Sequence, residues 1–184
     1  MESIEEALDA VTALYTLGPT GTNCEYAANT WFERRGRQGR VHLCPTLETA
    51  VEQLPYDGTA ALLGCVVYPD LHHLVFQNLH RLTLAETFVV PTHRMVLAAR
   101  DGREPITVAT HPAPQSLVPE RLTRVLTTSN ARAAQECAAG EVDGCVTTLP
   151  AARIHDLRVI TDFGPVPMGF TVHLPSPAQR RMLR

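Results

Sequence analysis

An α/β fold in two lobes is what this sequence predicts, on three observations. Short apolar runs of strand character alternate with amphipathic stretches of helical period along most of the chain. Two long extended runs, LHRLTLAETFVV and HRMVLAA, meet around Pro91 and read as a crossing between lobes. A chain of 184 residues, 45% hydrophobic and 19% charged, can bury one substantial core or two small ones.

The first strand is expected at about 11–17, leading into a helix from Asn23 to Arg35 with Thr22 or Asn23 as its N-cap. VHLCP at 41–45 reads as a strand, and Thr46 caps a helix through Gln53. TAALLGCVV at 59–67 is continuously apolar, as a strand buried on both faces is, and Tyr68 to Gln77 is irregular or a short helix. After the extended pair, ITVATH at 106–111 begins a second set: a strand, a Pro-rich turn with a short helix, and a strand ending near Leu126. A helix capped by Ser129 stops at Gly140, where glycine accepts the left-handed conformation of a helix end. GCVTT at 144–148 is a strand, LPAARIH a short helix with Pro150 near its start, and LRVITDF and MGFTVHL the closing strands.

Composition excludes several functions. A net charge of −3 with scattered arginines offers no footprint for nucleic acid. No apolar run reaches spanning length, so no membrane partner is expected, and the acidic start MESIEEALDA is unlike a secretory leader; the cytoplasm is the expected compartment. All sixteen basic residues are arginine, so chemistry that needs a lysine imine or a P-loop lysine cannot be built. The five cysteines contain no CxxC and read as reduced core residues, with Cys24 in a first helical turn as a thiol that such a position could activate. His72, His73 and His80 lack a companion at ligand spacing, so neither metal nor other cofactor is expected. Arg34, Arg35, Arg37 and Arg40 form a basic run expected to complement a helix end and stay solvated. A homodimer is compatible with the sequence, which does not decide the oligomeric state.

The chemistry-bearing stretch is TLGPTGTNCEYAANTW from Thr16 to Trp31, a glycine-rich turn between strand and helix. Gly18 and Gly21 permit close backbone approach, Pro19 stiffens the turn, and Thr20 and Thr22 add hydroxyls beside the N–H groups of a helix start, which together suit a carboxylate or phosphate. An ordinary capped turn has the same residues. The segment Thr127 to Asn130, with Thr128 and Ser129 at another helix start, is a second candidate anion site or a simple N-cap, and Arg132 in its first turn is a candidate clamp. Thr110 and His111 stand at the carboxyl end of a strand, where open α/β sheets bind ligands.

LGPTGTNCEYAA, PTHRMVLA, ATHPAPQSL, TTSNARAAQECAAGEVDG and PVPMGFTVHL follow the order and spacing of the prephenate dehydratase catalytic domain, which the chain resembles over nearly its whole length. The resemblance implies a two-lobed fold like type II periplasmic binding proteins with a central cleft: one lobe of about 1–90 plus 164–184, the other about 91–163. The family's regulatory ACT domain would need a further long stretch after Arg184, so feedback through such a domain is not expected. Two departures bear on the reaction. Where dehydratases carry Glu-Asn-Ser, this chain has Val66, Val67 and Tyr68; where they carry Thr-Arg-Phe, it has Met168, Gly169 and Phe170. The threonine thought to help the ring hydroxyl leave, and the arginine thought to hold a carboxylate, are both missing.

Gly-Thr followed by Glu-Tyr-Ala-Ala, as in Gly21, Thr22 and Glu25 to Ala28, and a last strand starting Pro-Met are similar to the non-aromatising prephenate decarboxylases of anticapsin and dihydrotyrosine routes. The resemblance implies loss of carbon dioxide from prephenate while the hydroxyl stays, with a proton quenching the ring diene. Tyr68, Glu25 and His111 are the candidate proton donors, and the substrate-binding set is Gly18 to Thr22, Thr110, Thr128 to Asn130, Arg132, Met168 and Phe170. A diverged dehydratase and a non-catalytic carboxylate sensor are the alternatives.

Overall fold

The computed structural model describes residues 3–176, which fall into two compact units, one running to Val90 and resuming at Pro167, the other from Pro91 to Val166. The first contains α1 (Ile4–Asp9), β1 (Ala13–Leu17), α2 (Asn23–Arg34), β2 (Arg40–Cys44), α3 (Leu47–Gln53), β3 (Ala60–Cys65), α4 (Leu71–Gln77) and β4 (Leu82–Pro91). The second contains β5 (Met95–Ala99), β6 (Thr107–Thr110), a 3-10 turn, β7 (Thr123–Leu126), α5 (Asn130–Ala139), β8 (Gly144–Thr148), α6 (Leu149–Ile154) and β9 (Arg158–Gly164). The chain then returns to the first unit as β10 (Pro167–Pro175). The stretch after Ser176, placed in the first lobe from the sequence, lies outside the described residues.

The first sheet has the order β2-β1-β3-β10-β4. β1 is parallel to both β2 and β3, so Leu17, Cys44 and Cys65 end on one edge, and antiparallel β10 enters from that edge with Phe170 opposite Cys65. β3 is buried along its whole length because helices cover both faces: Ala61, Leu63 and Cys65 pack with Leu14, Trp31, Phe32 and Phe170, while Ala60 and Leu62 pack with Leu47, Val51 and Leu74. That two-sided burial is why the segment reads as an unbroken apolar run. The strand is shorter than expected from 59–67: it ends at Cys65, and Val66 and Val67 form a turn with half-exposed side chains.

The second sheet has the order β7-β6-β8-β5-β9, with β6 parallel to β7 and β8 and β5 antiparallel to β8 and β9. Its carboxyl edge carries Thr110, Leu126 and Thr148. One face is closed by α5 and α6 through Ala133, Ala134, Cys137 and Ala152, small residues that let the helices lie close on Val96 and Cys145. Gly140 ends α5 at φ 81°, in the left-handed region foreseen for it.

Two local features depart from expectation. The acidic start forms α1, capped by a reciprocal box in which the Ser3 hydroxyl accepts from Glu6 N–H and the Glu6 carboxylate accepts from Ser3 N–H. Arg35 is not solvated: its guanidinium lies 4.8 Å from the Trp31 ring and pairs with Glu5, Asp9 and Glu86 at 3.0, 3.1 and 3.1 Å. Among the described residues no helix is long and apolar enough to cross a membrane.

Candidate functional site

The turn from Gly18 to Thr22 joins the carboxyl end of β1 to the start of α2, and its groups are partly engaged within the chain. Gly18 N–H donates to Cys44 O at 2.8 Å, and Thr22 caps α2 by accepting from Glu25 N–H. Gly21, at φ 84°, turns its N–H onto the Glu25 carboxylate at 2.6 Å. The helix start therefore already carries one anion, the chain's own, three residues inside the N-cap where a carboxylate complements the dipole. Pro19 and Thr20 are exposed at the tip of the turn.

Beside this turn the carboxyl edge of the first sheet is apolar. Val66 N–H donates to Gly169 O at 3.1 Å, and the Val66 methyls lie so close over Gly169 that a Cβ there would meet them at 3.1 and 3.2 Å. Met168 is half-buried, with its sulfur 3.3 Å from the Cys65 thiol, and Phe170 is buried and stacked on Phe88 at 5.8 Å. Phe170 thus anchors the strand from within the core and Met168 packs, half-buried, against the same cluster, while Val66 and Val67 are the exposed apolar residues beside it. Cys24 is buried at the start of α2, and its neighbour Cys65 together with burial pushes its thiol well above the ordinary range, which opposes the activated thiol its helical position suggested.

Tyr68 follows the same edge. Its phenol donates to Glu48 Oε2 at 2.7 Å, and burial, then Glu48, then the charge of Asp70 push its pKa up to about 12. Glu48 sits in the first turn of α3, whose N-cap is Thr46.

The second unit repeats the arrangement of helix starts at a carboxyl edge. Ser129 caps α5 by accepting from Arg132 N–H at 3.0 Å, Thr127 Oγ1 donates to Ser129 O, and Thr127 N–H donates to Thr110 O. Thr147 Oγ1 donates to Asn130 O at 2.6 Å, while Asn130 Oδ1 is buried with no partner among the described residues. Thr128 is exposed. The Arg132 guanidinium is paired along its own helix with Glu136 at 2.7 Å. His111 Nδ1 accepts from Ala113 N–H at 3.2 Å, which assigns the ring proton of the neutral form to Nε2, and burial lowers the pKa so that the neutral form prevails.

Within the first unit the structure brings together Gly18 to Thr22, Glu25, Tyr68, Met168 and Phe170 at one sheet end; within the second it brings together Thr110, His111, Thr128 to Asn130 and Arg132. Sequence reasoning missed Glu48 and Thr147. Glu48 at a helix start reads only as a dipole complement, and Thr147 only as a strand residue; neither has a spacing that announces its partner.

The fold and the two edges define a class, the binding-protein-like α/β fold: the VFT2 domain of Bordetella pertussis BvgS superposes with a TM-score of 0.54 at 15% identity, covering 90% of this chain and 81% of that one. A prephenate dehydratase from Arthrobacter aurescens superposes with a TM-score of 0.68 at 21% identity over 89% of this chain. This chain spans about 60% of the dehydratase chain's length. In sequence, it is 24% identical over 181 residues to a prephenate decarboxylase of Bacillus subtilis, covering 90% of this chain and 88% of the relative. No family model matches. The chain is thus related to a prephenate decarboxylase and shares the dehydratase fold, as its five motifs imply.

Proposed function

We propose that this protein removes carbon dioxide from prephenate without aromatising the ring, giving a dihydro-4-hydroxyphenylpyruvate that feeds anticapsin- or dihydrotyrosine-type amino-acid synthesis in the cytoplasm. The observation that carries this reading is the apolar edge made by Val66, Val67 and Met168 beside the helix start at Thr22. A hydroxyl lying on such an edge meets no proton donor and stays a poor leaving group. The ring carboxylate can still depart: its C–C bond breaks, the electron pair spreads through the diene, and a proton added at a distal ring carbon completes the step. No lysine exists to serve as an imine sink, so the substrate's own diene must take the electrons.

The helix starts at Thr22 and Ser129 favour anionic groups through their dipoles, with Gly18 to Thr22 and Thr128 to Asn130 as the proposed binding segments. His111 offers Nε2–H as a hydrogen-bond donor to a carboxylate. Glu25 and His111 are the proposed proton donors, with Tyr68 at the same sheet end as Glu25; general-acid help of this kind is worth about two to four powers of ten. Purified protein incubated with prephenate is expected to release carbon dioxide and yield the non-aromatic keto acid by NMR. Phenylpyruvate as the enzymatic product would establish a dehydratase instead, and thermal stabilisation by prephenate with no turnover would establish a sensor.

A further inference from the structure

We propose that Glu48, by accepting the hydrogen bond of the Tyr68 phenol, leaves the Tyr68 oxygen as a hydrogen-bond acceptor for the ring hydroxyl of prephenate, and so suppresses loss of that hydroxyl. The inference rests on the prephenate reading above and assigns Glu48 a positioning role. A phenol has one proton. In this structure it is committed to Glu48 Oε2 at 2.7 Å, so any further group meeting the Tyr68 oxygen must itself donate. Prephenate has a single donor to give. Its two carboxylates are ionised at neutral pH and its keto oxygen accepts only, which leaves the ring hydroxyl.

The consequence for the reaction is electronic. A hydroxyl that donates to an acceptor gains negative charge on oxygen, the opposite of the protonation that would let it leave as water. Tyr68 follows the apolar turn residues Val66 and Val67 at the carboxyl end of β3, with its ring packed on the side covered by α3 and its oxygen held at Glu48. Its own proton is held firmly: the half-buried phenol lies near two carboxylates, Glu48 in hydrogen-bond contact and Asp70 two residues along the chain, and ionising it there would set a third negative charge beside them. Direct proton donation from Tyr68 to the ring carbon would create that phenolate. Accepting from the hydroxyl creates no charge.

The test uses Tyr68→Phe, Glu48→Ala and Glu48→Gln in the full chain, with prephenate and an analogue in which hydrogen replaces the ring hydroxyl. Product partition is read by NMR against an enzyme-free control, and binding by thermal shift. Wild type is expected to prefer the hydroxyl compound, and Tyr68→Phe to lower that preference about 3- to 10-fold while a phenylpyruvate fraction emerges. Glu48→Ala should move both readouts the same way, because a freed phenol can donate. Glu48→Gln should keep most of the wild-type partition, since its amide oxygen still accepts the phenol proton. Unchanged preference and partition in Tyr68→Phe would overturn the proposal while leaving prephenate decarboxylation standing. Loss of carbon dioxide release by at least 100-fold in both Tyr68→Phe and Glu48→Gln, with partition unchanged, would also overturn it in favour of a Glu48–Tyr68 proton relay. A wild-type protein that releases no carbon dioxide from prephenate would instead remove the reading on which the proposal rests.

Discussion

The contact between Val66 and Gly169 can be measured as a coupling energy. Gly169 lies in β10 outside the left-handed region, so alanine is conformationally acceptable there, and Gly→Ala at a compatible position gains about 0.4–1 kcal/mol by restricting the unfolded chain. Against this, the new Cβ meets the two Val66 methyls at 3.1 and 3.2 Å, closer than ordinary van der Waals contact, and Val66 must shift by a few tenths of an ångström. The two effects nearly cancel, so Gly169→Ala is expected to be close to neutral. Val66→Ala, removing methyls that are about half exposed, should cost about 0.5–1 kcal/mol. In the double variant the crowding is gone and the glycine gain returns, so its stability should exceed the additive value by about 0.5–1 kcal/mol. Urea unfolding of the four proteins measures this; a chain of this size should shift its Tm by about 2–4 °C per kcal/mol. Additivity within about 0.3 kcal/mol would refute the view that Val66 occupies the space above residue 169. The same crowding bears on the arginine that the dehydratase pattern has at this place, because its Cβ would meet Val66 first.

Two further outcomes follow from the buried polar groups. His173 is buried in β10 with Nε2 3.0 Å from Thr171 Oγ1, and burial lowers its pKa to about 4. The unfolded state then binds the proton more readily, so the stability is fully present above about pH 6.5 and is lost as pH falls toward about 4, by up to about 3 kcal/mol. Urea midpoints from pH 7.5 to 5 should fall more steeply in wild type than in His173→Gln, and parallel curves would reject this. Arg35→Ala should destabilise by about 1–2 kcal/mol: Glu5 and Asp9 are largely exposed partners worth little, but Glu86 is also the acceptor for Trp31 Nε1–H at 2.8 Å, and the guanidinium covers the Trp31 ring. Arg35→Lys should recover less than half of that loss in thermal unfolding, since an ammonium cannot bridge three carboxylates across the indole; full recovery would count against it.

The fold was legible where period and cap coincide. Ser129 and Gly140 bracket α5, and Thr46 opens α3, because hydroxyl caps and a terminal glycine are local signals that tertiary contacts do not override. β3 was extended too far because Val66 and Val67, which form the turn after Cys65, are as apolar as the strand itself. The helix α1 carried its S-x-x-E box in plain view, yet its six residues are too few for a hydrophobic period to be seen. At the site, the residues of the turn were readable, but their bonding was not. Glu25 lies four residues from Gly21 and Glu48 twenty from Tyr68, and which carboxylate meets which donor depends on how the loops fold back at the sheet edge.

The two thiols at that edge narrow the chemistry further. Cys24 is the residue that a helix start would ordinarily activate, since the dipole of α2 favours a thiolate by a fraction of a kcal/mol to about 1 kcal/mol. Burial works the other way and is the larger effect for a charge placed among Ala27, Trp31, Leu63 and Phe170 with no cation beside it. Its close neighbour Cys65 contacts the Met168 sulfur and is itself shifted downward by the hydrogen bond with Cys24 against the opposing effect of burial, so of the two it is Cys24 that is held as a thiol. With lysine absent from the sequence and Cys24 held as a thiol, activation of a carbonyl by a lysine amine or by this sulfur has no residue to carry it. On the function proposed above, the first unit's part is placement of charge: a helix start for an anion, an apolar edge for the ring hydroxyl, and a tyrosine whose proton is held by Glu48. A substrate whose own conjugated ring can absorb an electron pair is the kind of substrate such a surface can turn over.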